Sequence, residues 1–189
     1  PMQWTNALAS QTDWPSEISK QQDKQLIAKK LAEKLKKNDV IGAGSGSTSF
    51  LTLKEIARCD KENGLNITVI PTSKEIGLYA LGLGLKTASI ESAKPDWYFD
   101  GADEVMGKNL IKGRGGAMYM EKLVMCSAKQ TYILVDQSKF VKKLGEKFPI
   151  PVEVDLPAIH YVESTLTKMG ATNIALRVAG KSKDGPVIT

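Results

Sequence analysis

Two aspartates stand where a strand is expected to end. Asp100 and Asp103 flank a Gly-Ala pair directly after the aromatic run Trp97-Tyr-Phe99. Carboxylates at the end of a buried strand cost free energy of desolvation unless they meet hydrogen-bond donors, which makes both residues candidates for a functional site. Turn aspartates that cap backbone amides would show the same pattern, and this segment alone does not separate the two interpretations.

Two cations and a third acid follow the aspartates. Lys112 and Arg114 stand in the segment Lys112-Gly-Arg-Gly-Gly116, where a solvated loop would explain the charges but not three such closely spaced glycines. Glu121 lies about one turn into the helix expected next, among apolar neighbours. A carboxylate on such a helix is a candidate general base. A surface glutamate paired with a neighbouring lysine is the better interpretation if this helix is considered alone.

The segment Gly42-Ala-Gly-Ser-Gly-Ser-Thr48 has the composition of an anion-binding loop. Its glycines let backbone N–H groups approach a phosphate, its hydroxyls add donors, and a helix is expected to follow. No lysine ends it, which excludes a nucleotide-triphosphate P-loop. A dinucleotide fingerprint would need glycine at Ser47 and an acid closing the next strand, where Pro71 and Thr72 stand. A glycine-rich turn without a ligand is the alternative interpretation.

Apolar patterns predict helices and strands in alternation around these loops. Helices are expected at about 19–37, 48–59, 73–83 and 117–128, and strands at 40–41, 67–70, 97–99 and 131–135. Ser73 is a predicted N-cap, directly after a strand that Pro71 ends. Strands separated by such helices predict a parallel α/β sheet with right-handed crossovers, whose ligand lies outside the carboxyl ends of the strands.

The chain divides into three predicted regions. Residues 1–19, which include Trp4 and Trp14, are expected to form an irregular N-terminal extension, and residues 20–147 the main domain. The proline-rich run from Phe148 to Val154 indicates a boundary. Residues 148–189 are expected to form a small α+β lobe with a helix at about 156–169 and a candidate strand at 174–178.

Composition indicates a globular protein of the cytoplasm. The 189 residues are 42% hydrophobic and 25% charged, and no apolar run approaches the roughly 20 residues that span a bilayer. Two cysteines in predicted helices, Cys59 and Cys126, indicate no disulfide framework. A single histidine, His160, excludes a histidine-rich metal site, and no cluster has zinc spacing. Asp and Glu alone could hold magnesium, but nothing in the sequence demands it, so no metal is expected.

The net charge of +5 owes much to a run of lysines in the first predicted helix. These are Lys20, Lys24, Lys29, Lys30, Lys34, Lys36 and Lys37. Nucleic-acid binding would explain the run. The solvated face of an amphipathic helix is the favoured interpretation, because Ile27, Leu31 and Leu35 form an apolar stripe and no aromatic residue interleaves with the lysines. Neither nucleic acid nor membrane is therefore expected as a partner.

In combination, the motifs resemble the A-type ribose-5-phosphate isomerases. They are Gly-Ser-Gly-Ser-Thr48, Pro-Thr-Ser73, Asp-Gly-Ala-Asp-Glu104, Lys-Gly-Arg-Gly-Gly-Ala117, Glu-Lys122, Val-Asp-Gln-Ser-Lys139 and Phe-Pro-Ile-Pro-Val-Glu153. The resemblance runs from about Lys24 to Gly180. It implies an α/β protein with a Rossmann-like parallel-sheet main domain, a small α+β lobe and no cofactor. It further implies a cytoplasmic homodimer or homotetramer that interconverts ribose 5-phosphate and ribulose 5-phosphate in the pentose phosphate pathway.

The resemblance also implies roles for individual residues. Glu121 would accept the proton, and Asp100, Asp103 and Lys112 would surround the reacting end of the sugar. The residues expected to bind substrate, with Ser47 and Thr48 near the phosphate, are Ser45, Gly46, Ser47, Thr48, Gly101, Ala102, Gly113, Arg114, Gly115 and Lys139.

This sequence departs from the family at two places. The family usually has glycine at the position of Arg114, and its chains continue past the position of Thr189, so we expect a longer native product whose small lobe is completed downstream. Two other functions fit the phosphate-binding pattern: an amino-sugar-phosphate isomerase-deaminase and a non-catalytic sugar-phosphate sensor. The first commonly recruits a histidine, and the second would not need Asp100, Lys112 and Glu121 together.

Overall fold

The structure is a computed structural model that describes residues 7–13 and 17–177. Trp4 and Trp14 lie outside these residues, as does the segment from Val178 to Thr189. The irregular N-terminal extension stays a prediction, and its described part holds a 3₁₀ turn at Ala9–Gln11.

A five-stranded parallel sheet forms the centre of the protein. Its strands are β1 (Val40–Ala43), β2 (Thr68–Pro71), β3 (Lys86–Thr87), β4 (Trp97–Asp100) and, as the last of the sheet, β7 (Gln130–Ile133). They lie in the order β3-β2-β1-β4-β7, and every pairing is parallel. The predicted α/β parallel sheet is confirmed. The edge strand β3 was not predicted, because its two residues are both exposed and carry no apolar pattern.

A short antiparallel hairpin interrupts this alternation after β4. It consists of β5 (Glu104–Met106) and β6 (Asn109–Ile111), with Gly107 and Lys108 at its turn. The sequence did not predict the hairpin, since three-residue strands are too short for a periodic signal. Its geometry matters to the site, because it carries the chain from Asp103 away from the sheet and returns it at Lys112.

Within the described residues, five α-helices cover the sheet or follow it. They are α1 (Gln21–Ala32), α2 (Ser47–Asn63), α3 (Lys74–Gly82), α4 (Met118–Ser127) and α5 (Ile159–Lys168). Ser73 caps α3 as predicted, since its hydroxyl oxygen accepts a hydrogen bond from Ile76 N at 3.2 Å. The prediction for α1 was five residues too long, because turns lead from Glu33 to Asn38, which has a φ of 65°. Helix α2 runs past the predicted end until Gly64 adopts the left-handed conformation.

The core has two parts, one on each face of the sheet. Ile41, Val69 and Phe99 face the larger part, which they share with residues of α1, α2 and α3. Their strand neighbours Ile70 and Tyr98 face the smaller part, where Val124 of α4 packs against them. The alternation follows from the period of two along a strand. It places α4 against the face of the sheet opposite α2.

The last described region holds a helix and no strand. Helix α5 follows a 3₁₀ turn at Leu156–Ala158, so a helix is confirmed within the predicted range 156–169. The predicted strand at 174–178 is wrong for residues 174–177, and Val178 lies outside the described residues. Whether residues 148–189 form a separate lobe stays a prediction. Within the described part of the chain, no helix is both long and apolar enough to cross a membrane.

Candidate active site

One cavity of about 160 Å³ opens at the carboxyl ends of β1, β4 and β7. Every residue that the sequence predicted for the site lines it: Ser45, Gly46, Ser47, Thr48, Asp100, Gly101, Ala102, Asp103, Lys112, Gly113, Arg114, Gly115, Glu121 and Lys139. Parallel strands bring the loops that follow them to one edge of a sheet, and this is why residues so far apart in the chain meet. Their individual roles stay predictions.

Lys112 lies between two carboxylates. Its Nζ is 2.7 Å from Oδ2 of Asp100 and 3.5 Å from Oε2 of Glu121, and it donates a hydrogen bond to the carbonyl oxygen of Gly101 at 2.7 Å. The hairpin positions this lysine, which directly follows the last residue of β6. A cation placed here compensates two negative charges that would otherwise repel each other in a partly desolvated site.

The carboxylate of Asp100 is buried at the end of β4, with 1% of the residue exposed. Its oxygens accept hydrogen bonds from the Tyr98 hydroxyl and from Gly101 N, the latter at 2.7 Å. Burial raises the pKa of Asp100 to about 6, against the opposing pull of Lys112 and with a further rise from the charge of Glu121. Gly44 makes room for this carboxylate, because a Cβ at Gly44 would overlap it.

Glu121 is a buried residue in the first turn of α4. The hydroxyl of Ser45 donates a hydrogen bond to its Oε1, while Lys112 lies beside its other carboxylate oxygen. The alternative interpretation as a surface glutamate is therefore wrong. Val124 anchors the same face of α4 against Tyr98, and this packing directs the Glu121 side chain into the cavity rather than to solvent.

Asp103 plays a different structural part from Asp100. Its Oδ2 accepts a hydrogen bond from Arg114 N at 3.2 Å, and its own N–H donates to Ile111 O at 2.8 Å. The capping interpretation thus describes Asp103 well, since its carboxylate holds the glycine-rich loop over the cavity. Arg114 stands where the family usually has glycine. Its guanidinium lies 4.3 Å from the ring centroid of Phe148 and makes a cation–π contact with it.

The predicted anion loop ends where α2 begins. Gly42 belongs to β1, and Gly46 precedes the helix with a φ of 99°, a conformation that favours glycine. Ser47 and Thr48 are the first two residues of α2, so their N–H groups precede the first possible helical hydrogen bond. The free donors and the positive end of the helix dipole together suit a phosphate group.

Sequence reasoning missed Lys24, which had been assigned to a solvated helix face. It is only 8% exposed, lines the cavity, and donates a hydrogen bond from Nζ to Ser47 Oγ at 3.0 Å. Burial lowers the pKa of Lys24, and the nearby charge of Lys139 lowers it further, so two cations stand close to each other here. Its spacing from Ile27 and Leu31, three and seven residues, could have indicated that Lys24 lies on the apolar, buried stripe of α1.

Lys139 ends a short 3₁₀ turn, Gln137–Lys139, that begins after β7. Asp136 caps this turn by accepting a hydrogen bond from Ser138 N at 2.9 Å, and it forms an ion pair with Lys20 at 2.8 Å. Asp136 also lines the cavity, and it is a second residue that sequence reasoning did not single out. Because Asp136 is engaged by Lys20, it neutralises the charges of Lys24 and Lys139 only in part.

No metal cluster accompanies these groups among residues 7–13 and 17–177: nowhere there do three or more His, Cys, Asp or Glu side chains come together with the geometry to hold an ion. The acids of the cavity instead contact Lys112, a serine hydroxyl, a tyrosine hydroxyl and backbone N–H groups.

Comparison with known proteins gives these residues a context. The model of the family described as ribose 5-phosphate isomerase A (phosphoriboisomerase A) matches residues 68–189. Ribose-5-phosphate isomerase A of Methanocaldococcus jannaschii is 42% identical over 86% of this chain and 72% of its own length. That of Methanothermobacter thermautotrophicus is 40% identical over 88% of this chain and 73% of its own.

Solved structures agree with the sequence matches. The structure of ribose 5-phosphate isomerase A from Methanocaldococcus jannaschii superposes with a TM-score of 0.85 over 90% of this chain and 76% of that one, at 42% identity. A D-ribose-5-phosphate isomerase in complex with phospho-erythronic acid superposes with a TM-score of 0.83 over 91% of this chain and 76% of that one, at 36% identity. By family model, sequence identity and fold, this chain belongs to the ribose 5-phosphate isomerase A family.

Proposed function

We propose that this chain interconverts D-ribose 5-phosphate and D-ribulose 5-phosphate, with Glu121 as the base that moves the proton. The observation that carries the proposal is the position of Lys112, whose Nζ lies 2.7 Å from Asp100 and 3.5 Å from Glu121 in the cavity. An aldose–ketose isomerisation needs one base and one positive charge next to the reacting carbons, and this arrangement supplies both.

The proton transfer uses one face of the sugar. In the open-chain aldehyde, Glu121 removes the proton from C2, and the electron pair of the C–H bond forms the C1–C2 double bond while negative charge develops on the carbonyl oxygen. Lys112 stabilises that charge from beside the reacting carbons. The hydroxyl proton on the C2 oxygen passes to the C1 oxygen, and Glu121 returns the carbon-bound proton to C1. The C1 oxygen thereby becomes a hydroxyl and the C2 oxygen the ketone oxygen. The hydroxyl of Ser45 orients Glu121 for both transfers.

The two aspartates have different proposed roles, Asp100 at the hydroxyl groups of the sugar and Asp103 at the loop that covers it. Asp100 lies within reach of the same ammonium as the base, and its raised pKa of about 6 lets it exchange a proton near neutral pH. This property suits the opening of the furanose ring, which moves a proton from a ring hydroxyl to the ring oxygen. Asp103, which is bonded to the backbone of the Arg114 loop, positions that loop against the substrate.

The phosphate binds at the start of α2. Ser47 and Thr48 present hydroxyl and N–H donors there, Lys24 contacts Ser47, and Lys139 adds a second cation. Because Ser45 contacts Glu121 and Ser47 contacts Lys24, one short loop reaches both the base and the phosphate site. Anchoring the phosphate thereby orients the reacting carbons, an effect that accelerates reactions of small substrates strongly. The phospho-erythronic acid bound by a solved relative supports a site for a phosphorylated sugar chain.

The wider setting is proposed on family grounds. The chain would act as a cytoplasmic homodimer or homotetramer in the pentose phosphate pathway, with no cofactor. A deaminase or a non-catalytic sensor is the less favoured alternative. The only histidine, His160, is exposed on α5 and pairs with Glu163, and it does not line the cavity.

A direct assay tests the proposed function. The purified protein is incubated with ribose 5-phosphate, and the formation of ribulose 5-phosphate is followed, with unphosphorylated ribose as the matched control substrate. We expect turnover of the phosphate ester and little of ribose. In heavy water, solvent deuterium should appear at the carbon that receives the proton, because the proton on a carboxylate exchanges with solvent. Binding without turnover would support a sensor, and ammonia release from an amino-sugar phosphate a deaminase.

A further inference from the structure

Glu104 is a buried acid that the proposed mechanism does not use. It is the first residue of β5 and follows Asp103 directly, yet it has 0% exposure and is absent from the cavity lining. Its carboxylate accepts three backbone hydrogen bonds, from Gly145 N at 2.6 Å, Lys147 N at 2.6 Å and Phe148 N at 3.0 Å. A carboxylate that satisfies three main-chain donors holds a loop in one conformation.

The loop that Glu104 holds returns to the residue next to Lys139. Lys147 donates a hydrogen bond from Nζ to Ser138 O at 2.5 Å, at the 3₁₀ turn that ends with Lys139. The start of the same segment is fixed too, because Val141 N donates to Val105 O at 3.0 Å, one residue beyond Glu104. The end of the segment 141–148 therefore connects Glu104, through Lys147, to the turn carrying Lys139, while the start of the segment is bonded to β5 at Val105.

The electrostatics of Glu104 agree with this arrangement. Burial alone would raise the pKa of Glu104, but the N–H groups of Lys147, Gly145 and Phe148 outweigh it and hold the pKa below its ordinary value. The residue is thus an anion at neutral pH, matched to backbone donors rather than to a side-chain cation. A neutral side chain of the same shape would leave some of these donors unpaired, at a cost typical of buried unsatisfied polar groups.

We propose that Glu104 is a positioning residue for the phosphate end of the site. By binding the backbone of residues 145–148, it places the Lys147 ammonium on Ser138 O and so holds Lys139 at the cavity. The proposal rests on the proposed role of Lys139 in binding the substrate phosphate. The acidic segment 100–104 then has two functions. Asp100 and Asp103 line the cavity, and Glu104 sets the position of Lys139, about 35 residues downstream.

The test compares Glu104→Gln with a milder change, Lys147→Met, which removes the bonds from Lys147 Nζ to Ser138 O and Phe140 O but keeps the backbone donors of Glu104. Lys143→Met, an exposed lysine of the same segment, is the matched control. We expect Glu104→Gln to raise both the KM for ribose 5-phosphate and the inhibition constant of inorganic phosphate about tenfold, with kcat changed less than about threefold. Lys147→Met should raise the same two constants about threefold, and Lys143→Met should change neither.

A double-mutant comparison separates positioning from general stability. If Glu104 acts through Lys139, then Glu104→Gln should raise KM no further in a Lys139→Ala background. The proposal is overturned if Glu104→Gln lowers the melting temperature but leaves KM and the phosphate inhibition constant unchanged. It is also overturned if the effects of Glu104→Gln and Lys139→Ala on KM are fully additive. Should Glu104→Gln fail to fold, Lys147→Met decides the question by itself.

The same experiment distinguishes the two levels of inference. Lys139→Ala with an unchanged phosphate inhibition constant would remove Lys139 from the phosphate site, and the positioning role of Glu104 would fall with it. Lys139→Ala with a raised constant, together with unchanged constants in Glu104→Gln and Lys147→Met, would keep the phosphate site and overturn only the role of Glu104.

Discussion

The hydroxyl of Ser45 donates a hydrogen bond to Oε1 of Glu121, so the glycine-rich loop after β1 and the proposed base on α4 are directly joined. The resemblance had assigned Ser45 to substrate binding alone. Its observed partner makes it a residue that orients the carboxylate, which would otherwise be free to rotate about its terminal torsion. The loop therefore joins the proposed substrate-binding residues to the proposed base.

This contact predicts a defect in turnover for Ser45→Ala. Loss of one oriented hydrogen bond should lower kcat about 3- to 10-fold, with a smaller change in KM, as measured by steady-state kinetics. Ser49→Ala is the matched control, because the buried hydroxyl of Ser49 has no hydrogen-bond partner within the described residues. Equal losses in the two variants would show that the effect comes from α2 and not from the contact with Glu121.

Glu121→Gln should abolish most of the activity. The amide keeps the shape of the side chain but removes the basic lone pair, so kcat should fall by about 10²- to 10⁴-fold while substrate binding changes far less. Glu163→Gln, an exposed glutamate of α5, serves as the control. Near-normal turnover of Glu121→Gln would remove this residue from the mechanism and return the role of base to Asp100 or Asp103.

Lys24→Met should weaken the binding of phosphate groups. The methionine keeps the apolar stem that packs in α1 but removes the charge next to Ser47, so KM and the inhibition constant of inorganic phosphate should each rise about 10- to 100-fold. Lys29→Met, an exposed lysine of the same helix, should change neither. Titration calorimetry with inorganic phosphate checks the binding directly. An unchanged affinity in Lys24→Met would move the phosphate site away from the start of α2.

The activity should fall in acid as Asp100 takes up a proton. Its carboxylate is the form that pairs with Lys112, and its pKa is about 6, so kcat/KM should decline as the pH drops through that value. Tyr98→Phe removes a hydrogen bond donated to this carboxylate, which raises the pKa further and moves the decline to higher pH. Tyr132→Phe, on the neighbouring strand β7, is the control.

The pH–rate profile of Asp100→Asn completes this prediction. The variant should show no decline near pH 6 in whatever activity remains, since the titrating group has been removed. A decline that persists at the same pH in Asp100→Asn would mean that a different group controls the reaction, and the pKa of Asp100 would then have no part in catalysis.

Much of the fold was accessible from the sequence because its signals are local. The cap at Ser73, the apolar stripes of the helices and the short apolar strands each depend on neighbours a few residues apart, and the parallel sheet follows from their alternation. The hairpin of β5 and β6 and the edge strand β3 were missed. Both are too short for periodicity, and their stability comes from pairing with other strands.

The sequence by itself determined the family, the α/β sheet and most of the residues that meet at the cavity, because most of the motifs follow a strand and parallel strands end at a common edge. Only the tertiary structure decided how those residues act on one another. Lys24 is buried against Ser47, 23 residues away, and Ser45 contacts Glu121, 76 residues away. No local pattern encodes such partners, because a contact between distant residues exists only after the sheet and its helices have packed.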